Sequence, residues 1–75
     1  MIAKEAIRKV AEVKIKELGG FFVDVKINTA NVIMLFFDRM DGVNVEHCLA
    51  ISKHIEEYFD RDVEDYELTV CSAGL

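Results

Sequence analysis

Val32-Ile33-Met34-Leu35-Phe36-Phe37 is apolar at every position. A run this short is far below the roughly 20 residues needed to cross a bilayer. It reads instead as a strand covered on both faces, as central strands are. Immediately before it, Phe21 to Asn28 alternates. Phe21, Val23, Val25 and Ile27 form one face, and Asp24, Lys26 and Asn28 the other, the signature of a half-buried strand. Thr29-Ala30-Asn31 is a polar break short enough to fold the two strands into a hairpin.

Outward on the N-terminal side, residues 2–18 read as an amphipathic helix. Ala3, Ala6, Ile7, Val10, Ala11, Val13 and Leu18 fall near a 3.6-residue spacing, with Lys4, Arg8, Lys9, Glu12 and Lys16 between them. Lys14, Lys16 and Gly19-Gly20 end it, because cations favour a helix C-terminus and glycine adopts the left-handed cap cheaply.

On the C-terminal side, Asp38-Arg39-Met40-Asp41-Gly42 is turn punctuation. Asn44 can cap a second helix, from about Val45 to Phe59, by accepting a bond from a free backbone N–H, and Glu46 suits its first turn. Cys48, Ile51, Ser52, Ile55 and Phe59 form its apolar stripe, with His47, Lys53, His54, Glu56 and Glu57 elsewhere. Asp60 to Asp65 is a charged loop, and Tyr66 to Cys71 alternates again, with Tyr66, Leu68 and Val70 on one face.

The expected fold is α+β: a two-layer α-β-β-α-β unit with two helices on one face of a three-stranded sheet. If the apolar second strand is central, the third runs parallel to it and the sheet is mixed; the alternative puts the first strand in the centre. Handedness favours a right-handed crossover through the second helix. Two helices on one side leave the other side of the apolar strand exposed, or covered by something outside this chain.

At 75 residues the chain is one domain, 1–75, with a modest core. Cys48 and Cys71 make neither a disulfide framework nor a C-x-x-C pair, and read as reduced, buried thiols. With no spanning or secretory pattern, a cytoplasmic protein with no membrane association is expected. Charge is uneven. Residues 1–37 hold six Lys/Arg and four Asp/Glu, and residues 38–75 hold three and ten. Such an acidic half repels phosphate and suits a basic protein partner.

No catalytic, cofactor or metal site is expected, and the chain reads as a non-enzyme. Arg39, Met40 and Val43 break the alternate oxygen ligands that a calcium loop would need around Asp38 and Asp41. His47 and His54 are seven apart, where metal-binding pairs sit three or four apart. Cys48, next to His47, falls on the core stripe and points about 100° away from it. Gly19, Gly20 and Gly42 lack the spacing of a phosphate-binding loop. Phe21, Phe22, Phe36 and Phe37 could stack bases on a sheet, but without a positive surround they read as packing.

Asp38, Asp41-Gly42-Val43-Asn44-Val45-Glu46-His47-Cys48, Ser52, Asp60 and the closing stretch from Tyr66 to Leu75 form a specific combination. An acidic residue and Asp-Gly follow the second strand. A capped helix with Cys and Ser four apart comes next, then a strand ending in Ser-x-Gly-Leu. Across essentially the whole chain this resembles the N-terminal domain of the bacterial ribosome maturation factor RimP family. Where that family usually has Ser-Pro-Gly-Leu, this chain has Ala73, which leaves the turn less constrained.

The resemblance implies a fold similar to KH-type RNA-binding domains in topology, without their Gly-x-x-Gly loop. It implies maturation of the small (30S) ribosomal subunit by transient binding to the immature subunit and to ribosomal protein, with rRNA contacted indirectly, no cofactor and no catalytic residues. It also implies a C-terminal SH3-like barrel that would follow Leu75 and act as a further partner. The residues expected to carry binding are Asp38, Asp41, Gly42, Ser72, Gly74 and Leu75. A KH-like module binding RNA directly is the alternative.

Overall fold

The computed structural model describes residues 3–59 and 66–73. Five elements follow in the expected order: α1 (Lys4–Glu17), β1 (Gly20–Ile27), β2 (Val32–Arg39), α2 (Val45–Tyr58) and β3 (Glu67–Ser72). The sheet order is β1-β2-β3, with β1 antiparallel and β3 parallel to the central β2. The all-apolar strand is therefore central and the sheet mixed. Both helices lie on one face, α1 against β1 and α2, and α2 against β3.

The core forms where that face meets the helices. Ile33, Leu35 and Phe37 from β2 are fully buried with Ile7, Ala11 and Ile15 from α1 and Ile51 and Ile55 from α2. Alternation along β2 turns Val32, Met34 and Phe36 the other way, and Met34 is 39% exposed. One face of the central strand is thus open in this chain, as expected from two helices packing on one side only.

The hairpin between β1 and β2 is built by an asparagine at each end. Asn28 Oδ1 accepts the Ala30 and Val32 N–H groups at 2.9 and 3.0 Å. Asn31 takes a left-handed φ of 59° and donates its N–H to the Asn28 carbonyl. Asparagine tolerates that region better than most non-glycine residues because its short side chain can satisfy nearby backbone.

Three details depart from the alternation and helical spacing of the sequence. In β1, Phe22 pairs with Phe37 but Asp24 pairs with Phe36, so Val23 is an extra residue, a β-bulge. The bulge exchanges faces: Phe22 packs on the core while Phe21 and Val23 are 40% and 37% exposed. Phe22 also receives the Arg8 guanidinium at 5.0 Å from its ring centroid. In α1, the buried line is Ile7, Ala11 and Ile15, continued by the half-buried Leu18. Val13 stands off that line and is exposed. Finally, Asp38 and Arg39 continue β2 rather than beginning the turn.

Candidate functional site

Antiparallel β1 and parallel β3 bring four chain segments to one end of the sheet. Gly20, where β1 starts, pairs with Arg39, and Ser72, where β3 ends, pairs with Phe37. The ladder goes one step further, as Ala73 N–H donates to the Phe37 carbonyl at 2.9 Å. The C-cap of α1 and the N-cap of α2 adjoin these strand ends. Asp38, Asp41, Gly42 and Ser72 are therefore gathered at this end. Gly74 and Leu75 lie outside the described residues.

Arg39 organises the site. Its Nε donates to the Leu18 carbonyl at 2.7 Å and its Nη1 to the Gly42 carbonyl at 2.7 Å. The first acceptor is the C-cap of α1, where carbonyls lack intrahelical partners and attract a cation. The second lies in the turn after β2, which closes when Gly42 N–H donates to the Arg39 carbonyl at 3.1 Å. One side chain thus ties helix, strand and turn. Sequence reasoning saw Arg39 only as an interruption. The signal that could have found it was a lone cation between Asp-rich flanks, near a helix end that needs capping.

The individual site residues differ in access. Asp38 is only 7% exposed, and its Oδ1 accepts the Arg39 N–H at 2.8 Å. Asp41 and Gly42 are exposed, as is Met40 before them. Gly42 has a φ of 95°, the left-handed region that explains glycine here. Ser72 is exposed at the end of β3.

The turn feeds directly into α2. Asn44 Oδ1 accepts the His47 N–H at 3.2 Å, and His47 Nδ1 accepts the Asn44 N–H at 3.1 Å. This reciprocal capping box uses histidine where glutamate or glutamine is usual. His47 is thereby committed to the helix start, and His54 packs against the Tyr58 ring at 5.1 Å between centroids. Among the described residues, no group of three His, Cys, Asp or Glu side chains is placed to hold a metal ion. Cys48 and Cys71 are free and half-buried. Burial pushes the Cys48 thiol above its ordinary pKa, and the neighbouring Cys71 adds to this. That is the reverse of an activated nucleophile.

Two hollows mark the helical layer. One of about 230 Å³ lies between α1 and α2 and is lined by Lys14, Ala50, Lys53, His54 and Glu57. The other runs along α1, beside Glu5, Arg8, Lys9 and Glu12. Both are open and mix charges of both signs, so neither selects an anion or a cation. No helix among the described residues is long and apolar enough to cross a membrane. What the sheet end offers is a turn braced to the backbone of α1 and β2 through Arg39, with Asp41 and Ser72 exposed beside it.

Residues 10–75 match the family model described as RimP N-terminal domain. Ribosome maturation factor RimP of Porphyromonas gingivalis is 41% identical over 75 residues, covering all of this chain and 49% of that protein. The proteins of the same name from Christiangramia forsetii and Flavobacterium psychrophilum are 40% and 34% identical. They match over 96% and 100% of this chain, and 48% and 49% of their own length. The chain spans about half the length of the curated relatives it matches. With the match running from the middle of α1 through the braced turn to the end of β3, the chain belongs to the RimP N-terminal domain family.

Proposed function

We propose that this domain is a non-catalytic module of ribosome maturation, working on the immature small subunit through transient contacts with basic ribosomal protein. The observation that carries the reading is the 41% identity, across the whole chain, to a protein named ribosome maturation factor RimP. The charge supports it: a net −5 favours basic protein over naked RNA, so rRNA would be approached where protein screens it. On this reading the protein acts in the cytoplasm, where ribosomal subunits mature. Within this reading Asp38 and the Asp41-Gly42 turn shape one end of the docking surface, and Ser72, Gly74 and Leu75 form the joint to a second domain of SH3-like barrel type.

The test is fractionation of an extract containing the tagged natural gene product. Comigration with free small subunits and slower subunit maturation on deletion are expected. Absence from those fractions together with normal maturation refutes the reading. The element order also fits a KH-like module that binds RNA directly. That alternative requires affinity for short single-stranded RNA falling steeply with salt, and no binding at low salt removes it.

A further inference from the structure

The two layers of the domain differ in charge. α1 carries five cations and three carboxylates, and α2 one cation and three carboxylates, so the helical layer is neutral. Outside the helices, the described strands and turns hold four carboxylates, Asp24, Asp38, Asp41 and Glu67, against two cations, Lys26 and Arg39. One of those cations, Arg39, is engaged with two backbone carbonyls.

The sheet face turned away from the helices carries Asp24 and Glu67 on its flanking strands, yet its centre is apolar. Met34 and Phe36 occupy the middle strand, with Phe21 and the bulged Val23 beside them on β1. Cross-strand neighbours give the rim: Lys26 and Thr69 flank Met34, Asp24 and Cys71 flank Phe36, and Glu67 pairs with Val32. Lys26 lies over this face, its Nζ 5.9 Å from the Phe36 ring centroid. An apolar strip of this kind within a polar rim marks an interaction surface.

We propose that this open face docks a basic polypeptide segment carrying apolar side chains, lysine or arginine meeting the carboxylates while aliphatic groups cover Met34, Phe36 and Val23. The proposal rests on the functional reading above and names the face through which it operates. Charge selects the occupant. A second copy would set one chain of net charge −5 against another, and nucleic acid would meet the same repulsion.

The test titrates the isotope-labelled chain with a synthetic peptide of lysine, arginine and leucine, a matched glutamate–leucine peptide, and oligouridylate. Saturable amide shifts at Val23, Met34, Phe36 and Thr69 are expected with the basic peptide alone, weakening as salt is raised. Met34→Lys should reduce affinity by about tenfold or more, the loss typical of a central contact. Val13→Lys, on the exposed side of α1, should leave affinity unchanged, and both variants should melt with the parent. Shifts confined to the helices, an equal response to the acidic peptide or oligouridylate, or the same shifts produced by self-association overturn the proposal. Cosedimentation with small subunits separates the two claims. If the parent and Met34→Lys cosediment equally, the face is refuted alone. If the parent fails to cosediment, the functional reading is refuted, and the peptide titration still decides the face.

Discussion

Gly20→Ala tests the closest backbone approach at the braced sheet end. A Cβ added there would lie 2.8 Å from the Asp38 carbonyl oxygen, 3.0 Å from Arg39 Cγ and 3.2 Å from Ile15 Cγ2. None of the three can yield easily. The oxygen is backbone of the central strand, the Arg39 side chain is held by two 2.7 Å hydrogen bonds, and Ile15 is fully buried. Relief requires the start of β1 to move off β2, and overpacking of this kind costs about 1–3 kcal/mol. Alanine returns about 0.4–1 kcal/mol by stiffening the unfolded chain. The expected net loss is about 1–2 kcal/mol, and in a chain of this size each kcal/mol shifts Tm by about 4–8 °C.

Far-UV circular dichroism during heating, with urea titration to check an unchanged m-value, measures the effect. Gly42 supplies the contrast, because its φ of 95° is left-handed and nothing lies within 4 Å of the added Cβ. Gly42→Asn, which tolerates that backbone, should recover part of what Gly42→Ala loses. Gly20→Asn should be worse than Gly20→Ala. A Gly20→Ala protein melting at or above the parent temperature, or a Gly20→Asn as mild as Gly42→Asn, would refute the steric argument.

Three further outcomes follow from the same geometry. Arg39→Ala should destabilise by about 2 kcal/mol and speed hydrogen exchange at Gly42, since it removes charged hydrogen bonds to two carbonyls; slow exchange at Gly42 in the variant would show that the turn does not depend on Arg39. Asn44→Ala should cost about 1 kcal/mol in chemical denaturation, and Asn44→Asp much less, because the capping oxygen survives. Cys48 should alkylate more slowly at mildly alkaline pH than a free thiol, its pKa being raised by burial and then by Cys71. The sign of its contribution to stability is also fixed. Above the ordinary thiol pKa the unfolded chain has lost that proton and the folded chain retains it, so this contribution falls as pH rises. A Cys48→Ala variant with the same alkaline slope as the parent would contradict that.

Much of the fold was legible because turn chemistry and apolar spacing agreed. The six-residue apolar run named the central strand, Asn44 named a helix start, and Gly19-Gly20 named a helix end. The bulge at Val23 was hidden because Phe21, Phe22, Val23 and Val25 are all apolar. Alternation cannot register an extra residue when either neighbour could face the core. Val13 was read onto the helical stripe and Ile15 was not, although Ile15 continues the four-residue step from Ile7 and Ala11 and is the one that is buried. At the candidate site, Asp41-Gly42 was read as a turn, while the meeting of that turn with Ser72, the last residue of β3, depends on the parallel pairing of β3 with β2 and is not written in either segment. The role of Arg39 could not be seen locally, since its acceptor at Leu18 is 21 positions away in the chain.

Tyr66 has a bearing on how this domain can be altered. Its hydroxyl donates to the Phe59 carbonyl at 2.7 Å, so the two ends of the intervening segment, residues 60–65, are pinned together from outside it. The bond thereby ties the C-cap of α2 to the residue that precedes β3. Replacing Tyr66 by phenylalanine would therefore release that tie while keeping the ring in the core, separating what the hydroxyl contributes from what the ring does.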